Sequence, residues 1–179
     1  IVGQDCTENH PCTIEPIFNP ELGKKLPLKM LLVDDVEVNQ TVGVEMLQRL
    51  GYKPDVASSG WEALAALAQS KYDIVFMDMQ MPEMDGLETT RRIRQTCAAP
   101  IQGADRCELP GTYPWIIAMT ANAMQGDREL CLRAGMNDYI SKPVRVKAIV
   151  QALSRYDSQL PSLVANRSPE PAQTKADNI

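Results

Sequence analysis

The feature that most constrains this sequence is a repeated alternation between short unbroken apolar runs and longer amphipathic stretches. A strand that is apolar at every position must be buried on both faces, and a parallel sheet with helices above and below provides that environment. The runs are Lys29 to Val33, a weaker one near Pro54 to Ala57, Asp73 to Met77, Trp115 to Met119, and Tyr139 with Ile140. Between them the spacing turns helical. Val42, Met46, Leu47 and Leu50 fall on one side of a first helix that Gly51 ends. Ser59 followed by Glu62 is a capping-box signature, after which Trp61, Leu64, Ala65 and Ala68 recur at helical spacing. Asp85-Gly86 opens a third helix through about Gln95. A fourth runs from about Met124 to Ala134 with Gly135 as its stop, and Val146, Ile149, Val150 and Leu153 mark the apolar side of a fifth. The pattern predicts five strands and five helices in an α/β, doubly wound parallel sheet.

In such a sheet the ligand crevice lies at the carboxyl ends of the strands. Asp34 and Asp35 follow the first run, Asp78 the third, Thr120 the fourth and Lys142 the fifth. Three carboxylates, a hydroxyl and an ammonium are thus expected at one edge. Two carboxylates about 4 Å apart repel by roughly 4 kcal/mol at an effective dielectric of about 20. One lysine offsets only part of three such charges. A hard divalent cation relieves the rest, and Mg²⁺ suits a site made of a few carboxylates, water and a phosphoryl oxygen. Taken singly, each residue has a plainer role: Asp34 and Asp35 as helix caps, Asp78 as a turn residue before Met81-Pro82, Lys142 as a surface lysine, Thr120 as a strand end and Tyr139 as a half-buried aromatic. Their conjunction favours a site.

Composition narrows the function further. A chain of 179 residues holds one substantial core plus tails. Residues 1–27, with Pro11, Pro16, Pro20 and Pro27, read as a linker, 28–158 as the domain, and 159–179 as a tail. A net charge of −5 with scattered basic residues argues against a nucleic-acid groove. The apolar runs are too short to cross a bilayer, so no membrane contact is expected. Five cysteines without a CxxC pair fit a reducing cytoplasm better than a disulfide framework or a zinc site, and neither is expected of Cys97 and Cys107. The sequence starts at Ile1 and reads as a piece of something longer.

Four motifs, "MLLVDD", "DIVFMDMQMPEMDG", "IIAMTA" and "AGMNDYISKP", together resemble the CheY-like receiver domain of response regulators and hybrid histidine kinases over about Leu28 to Asp157. The resemblance implies a flavodoxin-like (βα)5 fold with strand order 2-1-3-4-5. It implies Asp78 as phosphoacceptor and Asp34, Asp35, Asp78 and the main-chain carbonyl of Gln80 around Mg²⁺, with Mn²⁺ able to substitute. Lys142 and Thr120 would bind the phosphoryl oxygens, Tyr139 would be the aromatic switch, and the bond before Pro143 would be cis. The side chains of Gln80 and Asn122 would modulate water access. The implied function is a phosphorelay step. A phosphohistidine on a histidine kinase or histidine phosphotransfer protein gives its phosphoryl group to Asp78, shifting the face made by the fourth helix, fifth strand and fifth helix, and the adduct then hydrolyses slowly. Such a fragment is a switch rather than an enzyme. The segment "IEPIFNPELGKKLPLKMLLVDD" resembles the linker into the receiver of a hybrid sensor kinase, which implies a cytoplasmic domain of a parent that can itself be membrane-attached.

Two rivals are weighed. Haloacid-dehalogenase-like phosphatases also use an aspartate with Mg²⁺, but want a second aspartate where Gln80 stands. A pseudo-receiver would bind partners unphosphorylated, which the complete acidic set disfavours. The lone His10, before Pro11, lacks the acidic follower of a kinase's histidine. Val36 stands where hybrid-kinase receivers often have Asn, with Asn39 retained three residues on; the change bears on the entry to the first helix and removes no proposed ligand. The stretch 96–114 is the other departure, a long connection rich in Gly, Pro and Cys that joins the third helix to the fourth strand at the edge away from the crevice. Shortening it is expected to leave phosphoryl transfer intact; a folded deletion variant that takes no phosphoryl group would contradict that placement.

Overall fold

The computed structural model describes residues 20–98, 114–121 and 125–165. Five strands, β1 (Met30–Val33), β2 (Asp55–Ala57), β3 (Ile74–Asp78), β4 (Trp115–Thr120) and β5 (Asp138–Ser141), form one parallel sheet in the order β2-β1-β3-β4-β5. This is the doubly wound order expected. Successive residues of each strand point to opposite faces, so one run feeds two cores. Met30, Leu32, Ile74, Phe76, Ile117 and Met119 enter one cluster; Leu31, Val33, Val75, Met77, Ile116 and Ala118 enter the other. Unbroken apolar runs in the sequence are the direct consequence.

Helices α2 (Glu37–Arg49) and α6 (Val146–Ala165) cover the first face, and α3 (Gly60–Gln69), α4 (Gly86–Ala98) and α5 (Gln125–Ala134) the second. A sixth, unexpected helix, α1 (Leu22–Lys25), lies in the segment read as linker. It docks on the end of α2, where the Gly23 amide donates to the Leu50 carbonyl at 3.0 Å and Leu22 packs against the core. One turn with no strong periodicity gives little signal in sequence; tertiary contact stabilises it. The last helix continues past residue 158 to Ala165.

Local signals locate most boundaries. Gly51 and Gly135, at φ +88° and +96°, take the left-handed conformation that ends α2 and α5. Ser59 Oγ accepts the Glu62 amide at 3.2 Å, while the Glu62 carboxylate reaches back to the Ser58 amide at 2.7 Å, one residue earlier than the usual capping box.

Two helix faces differ from expectation. Trp61 is 53% exposed, stacked under the Arg92 guanidinium, and Ala65 and Ala68 are exposed; the buried positions are Gly60 and Ala63. A Cβ on Gly60 would lie 2.3 Å from Thr89 Oγ1, so α3 sits too close to α4 for large residues on that side. On α2 the buried stripe holds Gly43 and Leu47, while Val42 is exposed; a Cβ on Gly43 would be 2.8 Å from Leu32 Cδ2. Close backbone approach selects the smallest residues, which apolar periodicity alone passes over.

At the edge away from the strand C-termini, Arg94 ties three segments together. Its Nε donates to the Gly135 carbonyl at 2.9 Å, one terminal nitrogen to the Pro114 carbonyl at 3.0 Å, and the other to Asn137 Oδ1 at 2.8 Å. The expectations on residues 99–113, on Asn122 and on His10 fall outside the described residues, as does any pairing of Cys97 with Cys107. Cys131 is buried, its thiol donating to Met79 Sδ at 3.8 Å. No helix among the described residues is long and apolar enough to cross a membrane.

Phe76 is 1% exposed at the centre of the first cluster. Phe76→Ala is expected to lower stability by about 3–5 kcal/mol, measured by urea unfolding, with the midpoint moving and the slope unchanged.

Candidate functional site

Strand register brings the polar residues level. Val33 pairs with Met77, so the next residues, Asp34 and Asp78, stand side by side at the sheet edge. Asp78 pairs with Met119 and Thr120 with Ser141, which brings Thr120 and Lys142 one step further along the same edge. The Lys142 amide donates to the Thr120 carbonyl at 2.7 Å and holds the chain there as it leaves β5.

Lys142 Nζ lies 2.9 Å from Asp34 Oδ2 and 2.8 Å from Asp78 Oδ2. Both carboxylates are buried, at 1% and 3% exposure. Asp35 completes the group: carboxylate oxygens of Asp34, Asp35 and Asp78 all lie within 4.8 Å of one another. Three carboxylates against one ammonium leave a formal charge of −2 in a shielded crevice. An all-oxygen donor set with that surplus fits a hard divalent cation, and these residues could hold one.

Electrostatics follow from the packing. Burial pushes the Asp78 carboxyl above its ordinary pKa; hydrogen bonds from Lys142 and the Gln80 amide pull it back, the Asp34 charge raises it again, and burial prevails. For Lys142, burial alone would lower the pKa, but its hydrogen bonds to Asp34 and Asp78 outweigh that and hold it above the usual value.

Asp34 is fixed from several directions. Its Oδ1 accepts the Val36 amide and Asn39 Nδ2, each at 3.0 Å, and its carbonyl accepts Gln40 Nε2 at 2.6 Å. Asp34 therefore shapes the turn that enters α2, but it is not the helix cap of its plainer reading: the N-cap is Val36, which has no side-chain cap bond. Asp85 does cap its helix, α4, accepting the Glu88 amide at 2.7 Å. The neighbouring Gly86 has a further function absent from that reading: a Cβ there would sit 2.2 Å from the Asp78 carbonyl, so only glycine lets α4 begin so close to β3.

Of the other expected residues, Thr120 is buried at the end of β4 and Tyr139 is half-buried against the second core cluster. Gln80 is exposed and its amide donates to Asp78 Oδ1 at 3.2 Å. The Lys142-Pro143 bond is cis. From the sequence, Asn39 stands only as an Asn of the family pattern retained three residues after Val36, with no role attached, and Gln40 carries no reading. An amide one turn into a helix that follows an acidic pair is a local signal for both.

The response regulator receiver domain profile matches residues 30–154. The chain belongs to this family. Receiver domains of two-component signalling are therefore its relatives. A histidine kinase of Oryza sativa subsp. indica is 41% identical over 147 residues, covering 72% of this chain, and the match spans 15% of the kinase's length. The receiver domain of a Pseudomonas aeruginosa sensor histidine kinase, solved with magnesium coordinated in its active-site cleft, is 40% identical with a TM-score of 0.58, over 73% of this chain and 98% of that one. A Saccharomyces cerevisiae co-crystal of a histidine phosphotransfer protein with the receiver domain of its downstream response regulator gives a TM-score of 0.65 at 26% identity, over 74% of this chain and 90% of that one.

The raised Asp78 pKa fixes the sign of a stability test in this receiver. A carboxyl that binds its proton more tightly when folded stabilises the fold below the unfolded pKa and loses that contribution as pH rises through the folded value. In metal-free buffer Asp78→Asn is expected to be more stable than wild type at neutral pH. The advantage should shrink on acidification through the carboxylate range, as followed by thermal unfolding at several pH values.

Proposed function

We propose that this receiver accepts a phosphoryl group on Asp78 from a phosphohistidine in a Mg²⁺-dependent phosphorelay. The observation that carries the reading is the buried Asp78 carboxylate, 2.8 Å from the Lys142 ammonium and grouped with the carboxylates of Asp34 and Asp35. Asp78 attacks phosphorus in line with the imidazole nitrogen that leaves: an O–P bond forms, the N–P bond breaks, and the imidazole keeps the electron pair. Lys142, released from Asp78 as the carboxylate is esterified, turns its N–H groups to the phosphoryl oxygens while Asp34 keeps hold of it. Thr120 donates its hydroxyl to another of those oxygens. Asp35, Asp78 and the Gln80 carbonyl, with Asp34 beside them, would hold Mg²⁺, which would neutralise the charge that otherwise repels the incoming anion. Water later cleaves the acyl phosphate, at a rate tuned by the side chains of Gln80 and Asn122.

The new group carries nearly two negative charges, which favour the conformer with Thr120 drawn inward and Tyr139 turned in behind it. The face that reports this is α5-β5-α6, the fourth helix, fifth strand and fifth helix of the sequence-based count. The donor is a histidine kinase or a histidine phosphotransfer protein. Residues 28–158 form the receiver within a larger cytoplasmic part of a hybrid histidine kinase, with 1–27 as its linker and 159–179 as its tail.

Incubation with acetyl phosphate and Mg²⁺, followed by intact mass measurement, is expected to show one added phosphoryl group. Asp78→Ala and removal of Mg²⁺ by chelation should each abolish it. Continuous turnover of phosphoesters would instead indicate a phosphatase, and an unmodified mass a pseudo-receiver.

A further inference from the structure

The carboxylate that anchors Lys142 is itself held by a residue outside the acidic cluster. Asp34 Oδ2 faces Lys142 at 2.9 Å, and Oδ1 accepts Asn39 Nδ2 at 3.0 Å together with the Val36 amide. Only the nitrogen of the Asn39 amide can face an ionised carboxylate, so this bond has a fixed donor. Asp34 is 1% exposed, whereas Asn39 is an exposed residue in the first turn of α2. The helix does not need it there: asparagine is a poorer helix former than alanine, and the side chain contributes nothing to the core.

We infer that Asn39 is a positioning residue of the phosphoacceptor site, orienting the Asp34 carboxylate so that Oδ2 meets Lys142. The inference rests on the function proposed above. With the amide removed, Oδ1 keeps one donor, the Val36 amide, and the carboxylate can rotate about its Cβ–Cγ bond. Lys142 then loses its second anchor and is drawn onto Asp78, the group that must be free to attack. Gln40 provides the contrast. It bonds the Asp34 carbonyl at 2.6 Å and Ser58 Oγ at 3.2 Å, bracing the loop without touching the carboxylate.

The test compares wild type, Asn39→Ala and Gln40→Ala in the same chain. Asn39→Ala is expected to slow phosphorylation by acetyl phosphate at saturating Mg²⁺ on the order of three- to tenfold, the loss of one charge-assisted bond at a partly open site. Its thermal midpoint should stay close to wild type's, and the ¹⁵N resonance of Lys142 Nζ should shift. Gln40→Ala should leave that resonance in place. Unchanged rate and resonance in Asn39→Ala would overturn the inference, as would equal effects of the two substitutions, which would make loop bracing the cause. Should wild type take no phosphoryl group, the proposed function fails; the Lys142 resonance still decides the positioning, and its invariance in Asn39→Ala overturns that too.

Discussion

The ammonium of Lys142 between Asp34 and Asp78 is the interaction on which this site depends. Two carboxylates almost wholly removed from water would repel each other and suffer desolvation at once. One cation set between them, at hydrogen-bonding distance from each, makes their burial tolerable. It does not neutralise the cluster, because Asp35 stands beside them. The remainder is a negative crevice of oxygen donors, a set that fits a hard divalent ion.

What brings the three residues together is backbone register. Lys142 and Asp34 are 108 residues apart in the chain. A parallel ladder converts that separation into adjacency, because each strand ends at the same edge and the next residue emerges there. Close approaches refine the placement. Gly86 lets α4 start against the Asp78 carbonyl, and the Lys142 amide bonds to the Thr120 carbonyl. The opposite edge is fixed separately, by Arg94 and its three acceptors. Both ends of β4 are thereby held, one beside the crevice and one beside the long connection before Pro114.

Much of this was legible beforehand, and the exceptions share a cause. The strand runs, the Ser59 cap, the glycine stops and the strand-end polar residues are local signals, each a property of a few neighbouring residues. Trp61 and Val42 were expected on inward faces because large apolar residues usually are, yet the backbone at Gly60 and Gly43 lies too close to its neighbours to admit them. Helix α1 escaped notice because its stability comes from Leu50 and the core rather than from its own four residues. Asn39 was visible as a retained position, but its role was not, because the orientation of the Asp34 carboxylate is not written in the spacing.

The class of fold and the kinds of side chain gathered at the crevice are readable along the chain, since side-chain period and turn chemistry act over a few residues and need no distant partner. Which oxygen of each aspartate meets Lys142, which helix positions must be small, and which amide bonds the Asp34 carboxylate come from the folded packing. Those are matters of ångströms between segments far apart in the chain, and packing of the whole sheet sets them.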